Sequence, residues 1–423
     1  MKKLVFIFFL FAFVAISAFS QNIHREYFTP SGAKSAVTVI QNNGDAFIFK
    51  TLPSPTPAIE LIPLDPTTMQ PIGTSTLYSI NVPSYIILNG VFEDFNGDII
   101  VYGYSNDARY GFLGKFNGTQ IIDVAYIPVV NTELISGCCG YDQFGSMCYA
   151  FANIMGEAIR LDNNFLPIND KFQITDGYIS CITWDNANGN YIFSGNIPDA
   201  NPSLYSFIGY FDDNFNLQNI FVFEPISAYP LTNFCEQRTL HYQVEGTEVI
   251  LCQQLRIGYP DNMDAIWLTR LDYMSGQINI MRNQIFPSHK LLLYDIAYNW
   301  ENDNIYILGR YIPCGQGLNG RKNCIAQVDA STLSNLQAIN VVGIVPNPPC
   351  LYGQGTYNSI YLKQMIYNPN RNSIVSTGVF EDIYTTETYD VWSTQCDELI
   401  SIIEDGIGIN PVNVNIAQYQ KDT

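Results

Sequence analysis

Three carboxylates occupy positions from which they could share a reaction. Asp176, Glu236 and Asp295 precede or enter the opening strand of three consecutive repeat units, and Glu236 shares the segment 235–241 with Arg238 and His241. Two carboxyl groups roughly 5–10 Å apart can serve as general acid and base in glycoside cleavage. The same acids could instead offer oxygen ligands to a hard cation such as Ca²⁺, but no D-x-D-x-D spacing accompanies them. Polar side chains also line water-filled channels without doing chemistry, so the three are candidates only. Other reaction classes have less support. The chain has three histidines, His24, His241 and His289, with no H-x-H or H-E-x-x-H spacing, which removes the usual zinc hydrolase sites. Neither a G-x-S-x-G elbow nor a Walker-type phosphate loop is present. Ser31-Gly-Ala-Lys34 matches S-x-x-K by letter, but its partner motifs are missing.

A second group of residues suits recognition better than catalysis. Tyr259, Asp261 and Asp264 fall in one expected long connection, and Phe380, Asp382, Tyr384, Tyr389 and Asp390 fall in another. Aromatic rings offer flat apolar area to a sugar or a peptide, while carboxylates accept hydrogen bonds from hydroxyls or cations. Long loops on a rigid scaffold are a common place for binding. The expected ligand is therefore a glycan, a polymer or a protein, held on the loop-rich face, with no cofactor.

The scaffold is legible as a repeat. One unit is a strand, an Asn/Asp/Gly turn and a second strand rich in Ile, Val, Tyr and Phe. It occurs around Gly44, Gly97, Gly145, Gly189, Gly246, Asp303 and Asn372. A second marker, an apolar residue followed by Asp or Asn, ends the next strand: Leu64-Asp65, Phe116-Asn117, Leu161-Asp162, Phe211-Asp212, Leu271-Asp272, Val328-Asp329 and Cys396-Asp397. A hydrophobic strand follows each, for example Leu399 to Ile403 in the last unit. An Asp or Asn at that point can bond nearby backbone and close the turn, which explains the marker without a ligand. Four short strands per unit with almost no helical periodicity predict an all-β fold, a β-propeller of seven four-stranded blades. Six or eight blades are the alternatives, because the third copy is degenerate and the last interval is long.

The segments 94–104 and 111–117 (Asp94-Phe-Asn-Gly-Asp-Ile-Ile-Val-Tyr-Gly-Tyr104, then Gly111-Phe-Leu-Gly-Lys-Phe-Asn117) resemble the propeller repeats of secreted bacterial proteins, especially Bacteroidetes-type exported proteins. The resemblance implies the propeller fold and export, and it carries no catalytic residues.

Export is also expected from the leader. Lys2 and Lys3 precede an apolar run from Leu4 to Ile16, and small residues at Ala18 and Ser20 precede Gln21, the pattern of a cleaved signal over residues 1–20. An uncleaved anchor is the alternative. Residues 21–404 form the propeller and 405–423 a C-terminal tail. The protein is expected to be secreted, periplasmic or at the cell surface, with no membrane span in its mature part. With 39 acidic residues against 20 basic ones the chain carries a net charge of −19, which repels polyanions and argues against nucleic acid as a partner. Ten cysteines agree with an oxidising compartment. Cys314 and Cys324 flank a segment that must turn back on itself and are the expected disulfide. The pairing of the others, including Cys138, Cys139, Cys148 and Cys181, is open, and no C-x-x-C spacing indicates zinc. Two readings follow. One is a non-catalytic exported binding propeller; the other is an extracellular polysaccharide hydrolase or lyase on the same scaffold.

Overall fold

The computed structural model of the 423-residue chain describes residues 25–30, 35–52, 57–69, 71–80, 85–105, 109–127, 132–174, 177–198, 204–223, 239–257, 263–286, 289–313, 322–334, 337–341, 357–370, 372–383, 394–404 and 417–420. These residues form seven antiparallel sheets. Strand β1 (Arg25–Pro30) comes first in the chain but belongs to the last sheet. The first sheet is β2 (Ser35–Ile40), β3 (Ala46–Leu52), β4 (Ala58–Leu64) and β5 (Thr76–Ser79). The second is β6 (Ile86–Glu93), β7 (Ile99–Ser105), β8 (Gly111–Phe116) and β9 (Ile121–Ile127), and the third is β10 (Leu134–Tyr141), β11 (Met147–Asn153), β12 (Glu157–Asp162) and β13 (Pro167–Gln173). The fourth holds β14 (Tyr178–Asp185), β15 (Asn190–Pro198), β16 (Leu204–Phe211) and β17 (Leu217–Phe223). The fifth holds β18 (Thr239–Glu245), β19 (Glu248–Ile257), β20 (Met263–Asp272) and β21 (Ile278–Phe286). The sixth is β22 (His289–Asn299), β23 (Asn304–Pro313), β24 (Lys322–Asp329) and β25 (Gln337–Val341). The seventh is β26 (Tyr357–Asn368), β27 (Ser373–Ile383) and β28 (Thr394–Glu404), with β1 as its outer strand. A short strand, β29 (Ala417–Gln420), pairs with β21 as a fifth member of the fifth sheet.

The sheets are arranged as a β-propeller. The first strand of each touches the first strand of the next, from β2 through β6, β10, β14, β18, β22 and β26, and β26 returns to β2. Side chains alternate across a strand, so a sheet packed between two neighbours must be apolar on both faces. Strand β7 illustrates this: Ile99 and Val101 pack with Phe49 and Ile59 of the first sheet, while Ile100 and Tyr102 pack with Tyr149 and Phe151 of the third. The core is thus divided into layers between neighbouring sheets, filled by side chains such as Phe193, Phe207 and Phe211 that are fully buried. Each such ring contributes on the order of 2–3 kcal/mol by leaving water.

Local chemistry sets the turns. Asp94, Asp142 and Asp185, at the turn between the first two strands, accept backbone N–H bonds two to four residues on. The third-strand markers behave as expected: Asp65, Asn117, Asp162, Asp212, Asp272 and Asp329 each close the following turn through a side-chain oxygen. The seventh marker requires correction. Cys396-Asp397 lies near the start of β28, and the residues that pair with the beginning of β27, as Leu64 and Phe116 do in their sheets, are Ile403 and Glu404. Leu399 to Ile403 therefore belong to the third strand. The fourth strand comes from the other end of the chain, with Arg25 opposite Ile402 and Pro30 opposite Asp397.

This pairing closes the ring between the two ends of the propeller sequence. Removing residues 25–30 leaves the outer edge of β28 unpaired. The shortened chain should melt lower, by on the order of 5 °C, with faster amide exchange at residues 397–402. Unchanged melting and exchange would contradict closure by β1.

Candidate functional site

The innermost strands line the axis, and this is where Asp295 sits. Five of them carry a register shift at the same place: between Leu88 and Gly90, Leu134 and Ser136, Ile179 and Cys181, Leu293 and Asp295, and Leu362 and Gln364. A bulge re-aims the residue that follows it. Here that residue turns toward the next sheet. Ser136 Oγ accepts the Ile182 N–H (3.0 Å), Asp295 Oδ2 accepts the Met365 N–H (2.6 Å), and Gln364 Oε1 accepts the Thr38 N–H (2.7 Å). Cys181 Sγ donates to the His241 carbonyl at 3.7 Å. Gly90 has no side chain to offer, and a Cβ there would lie 2.1 Å from the Tyr102 hydroxyl. That hydroxyl takes the Gly137 N–H in its place. The corresponding donor after β18, Ile296 N–H, faces no polar side chain from Leu240 and is accepted by Asp295 Oδ1 at 2.9 Å.

Asp295 is therefore a carboxylate whose two oxygens each hold a backbone N–H. Asp176 and Glu236, its proposed catalytic companions, lie outside the described residues. Among the described residues, no group of three or more His, Cys, Asp or Glu side chains is arranged to hold a metal ion.

His241 is similarly engaged. It is 1% exposed, with Nδ1 2.8 Å from Ser194 Oγ and Nε2 2.8 Å from Thr183 Oγ1. Ser194 donates its proton to the Thr239 carbonyl (3.1 Å), which makes Nδ1 the donor to Ser194 and Nε2 the acceptor from Thr183. Burial lowers the imidazole pKa to about 3, so the ring stays neutral and joins the fourth sheet to the fifth. The thiols are also spent as packing. Cys138, Cys139, Cys148, Cys181 and Cys252 are thiols outside any disulfide, and burial raises Cys181 to about 11 and Cys139 to about 12. Neither is a thiolate nucleophile at neutral pH. Cys314, half of the expected disulfide, lies outside the described residues.

Of the recognition candidates, Asp264, Phe380 and Asp382 fall at the end of the ring that carries the connections between second and third strands. Tyr259, Asp261, Tyr384, Tyr389 and Asp390 are outside the described residues. Asp264, Phe380 and Asp382 are strand residues rather than loop residues: Asp264 pairs with Arg256, Phe380 with Ile360, and Asp382 with Asn358. The second and third strands of these sheets simply run further than the sequence pattern indicated.

The opposite end, built from short turns, joins the sheets through one further set of polar contacts. Lys115 Nζ reaches Tyr149 Oη (3.0 Å) and Asn163 Oδ1 (2.9 Å) across the second junction, neutralised by Asp94 and Asp98 at 3.4 and 3.3 Å. Arg160 donates to the Asp213 carbonyl, Tyr273 to Asp185, Arg270 to the Ala330 carbonyl, Asn299 to Asn372 and Asn368 to the Pro66 carbonyl. At the first junction the link is the shorter Gln41, whose Nε2 reaches the Gly97 carbonyl (2.8 Å), with Asn42 N–H on Glu93 Oε2 (2.7 Å).

There a pocket of about 590 Å³ opens, lined by Gln41, Asn42, Asn43, Glu93, Asp94, Phe95, Asn96 and Gly97. Phe95 is 42% exposed and lies flat on Tyr141, with centroids 4.5 Å apart and planes at 7°. The sequence carried a signal for it that went unread. An aromatic residue inside an Asp-Phe-Asn-Gly turn has no core to enter, and Phe144 and Trp300 are exposed in the corresponding turns as well. A comparison with protein-family models and with curated proteins finds no match to this chain. The functional reading rests on geometry.

The buried His241 makes stability depend on pH. The folded-state pKa lies below the unfolded value of 6.5, so the unfolded chain takes up a proton that the native imidazole refuses. Stability is full above pH 6.5 and falls as pH drops toward 3, by at most ~1.4 kcal/mol per unit. Urea titrations from pH 7 to pH 4 should show wild type losing stability more steeply than His241→Gln. A pH-independent difference between the two would contradict this role.

Proposed function

We propose that the protein is an exported, non-catalytic propeller that binds a glycan, a polymer or a protein at one end of its ring. The observation that carries this reading is the commitment of Asp295. A general acid or base must be aimed at its substrate, and the Asp295 carboxylate is aimed at the backbone between β22 and β26, each oxygen holding one N–H group there. The neutral, doubly bonded His241 and the turn-closing aspartates support the same conclusion, since each is used by the fold itself. The turns of the described residues also expose aromatic rings, Phe95, Phe144 and Trp300, and Phe95 stands with Asn42 and Asn96 around one pocket. Such groups recognise ligands and do not turn them over. No helix among the described residues is long and apolar enough to cross a membrane.

The competing reading, a polysaccharide hydrolase or lyase, would need Asp176 and Glu236 to work without Asp295. The mature protein should be retained on at least one immobilised extracellular polymer while releasing no reducing ends or unsaturated sugars from it. Retention should be the same in the Asp176→Asn, Glu236→Gln double variant. Product release that disappears in that variant would establish the enzyme instead.

A further inference from the structure

We infer that the pocket between the first and second sheets is a subsite for an uncharged sugar residue of a glycan. This rests on the binding-propeller reading and adds the place and the ligand class. It also moves recognition from the loop-bearing end of the ring to the end built of short turns.

The pocket has the two kinds of surface that a pyranose ring presents to a protein. One wall is the face of Phe95, and the ring is already immobilised by Tyr141 behind it, so little side-chain freedom remains to be lost on binding. A flat, preorganised ring accepts the C–H face of a sugar. The rim is made of groups that pair with hydroxyls. Among the described residues the exposed Asn42 side-chain amide makes no hydrogen bond, and the Asn96 amide meets only the Met147 sulfur at 3.9 Å. Glu93 is held by the Asn42 N–H at 2.7 Å and by Gln41 Nε2 at 3.3 Å, which fixes its carboxylate and leaves lone pairs for hydroxyl protons. The volume falls within the ~300–1,000 Å³ of small-ligand pockets.

Charge selects among glycans. Glu93 and Asp94 line the pocket, and the nearest described cation, Lys115, is enclosed between Asp94 and Asp98 with its side chain 8% exposed. A uronate or a sulfated sugar would meet carboxylates without a free counter-charge, and the chain as a whole is strongly acidic. An uncharged sugar has no such penalty. Tyr141 ends β10, and the turn that follows carries Phe144, 82% exposed, so a second ring stands in the neighbouring turn for a polymer extending toward the third sheet.

The test is calorimetric titration of the mature chain with hexasaccharides of glucose, mannose, xylose and N-acetylglucosamine, and with oligogalacturonate as the charged counterpart. At least one uncharged hexasaccharide should bind and oligogalacturonate should not. Phe95→Ala should weaken binding by about tenfold or more, and Phe95→Tyr should retain it. Asn42→Ala should weaken it by a smaller factor. Phe95 is half exposed, so Phe95→Ala should melt within about 2 °C of wild type, separating loss of the site from loss of the fold. The inference is overturned if no uncharged sugar binds, if only oligogalacturonate binds, or if binding survives Phe95→Ala. Loss of binding in a Tyr259→Ala, Tyr384→Ala variant but not in Phe95→Ala would place the site at the loop-bearing end, leaving the binding-propeller reading intact. Reducing ends appearing in the same titration samples would instead overturn that underlying reading.

Discussion

An inner strand of a propeller has one edge with no strand beside it, and the backbone groups along that edge must still be paired. In this chain the pairing is done by side chains reaching across from the neighbouring sheet. Ser35, Ser136, Gln254, Asp295 and Gln364 each accept a backbone N–H from the inner strand of the next sheet, and Tyr102 does so where Gly90 leaves room. The acceptors differ chemically, but the geometry that aims most of them is the same bulge. Sheets fixed to each other at the axis can only fan outward, and the apolar layers between them follow. The same logic repeats at the turn-bearing end, where Lys115, Arg160, Arg270 and Tyr273 bridge successive sheets.

That economy has a functional cost. Groups that look reactive in isolation, a channel carboxylate, a histidine beside an arginine and a pair of adjacent thiols, are consumed in holding the ring together. Burial drives His241 to the neutral form and keeps the Cys139 and Cys181 thiols protonated, so these three groups serve the packing of the ring. The first junction is bridged by Gln41 where the second uses Lys115 with Tyr149. The shorter bridge leaves an open pocket floored by backbone turns and walled by Phe95.

The repeat was legible because its punctuation is local chemistry. Asp65, Asp162 and Asp212 close their own turns within two to four residues, so the same letters recur wherever the same turn recurs. The ring closure was not legible, because β1 is some 370 residues from its partner and nothing in Arg25–Pro30 names β28. The 11-residue β28 also contains a false copy of the marker, Cys396-Asp397, near its start rather than at its end. Ring-fixing residues were missed for a different reason. Ser136, Cys181, Asp295 and Gln364 share a position relative to a bulge and no side-chain type, so Asp295 read as a channel acid. Phe95 does not stand out by connection length, since its turn is short; its signal is an apolar ring in a turn with no core to fill.

The account depends most directly on Asp295 as a joint between the sixth and seventh sheets. Equilibrium unfolding together with amide exchange on Asp295→Ala and Asp295→Asn examines that joint. Removing both acceptors leaves the N–H groups of Ile296 and Met365 without partners, at roughly 1–3 kcal/mol each. Asp295→Ala should lose at least about 2 kcal/mol with faster exchange at those two amides, and Asp295→Asn, which keeps one acceptor, should fall between it and wild type. Wild-type stability and unchanged protection at Ile296 and Met365 in Asp295→Ala would contradict the account.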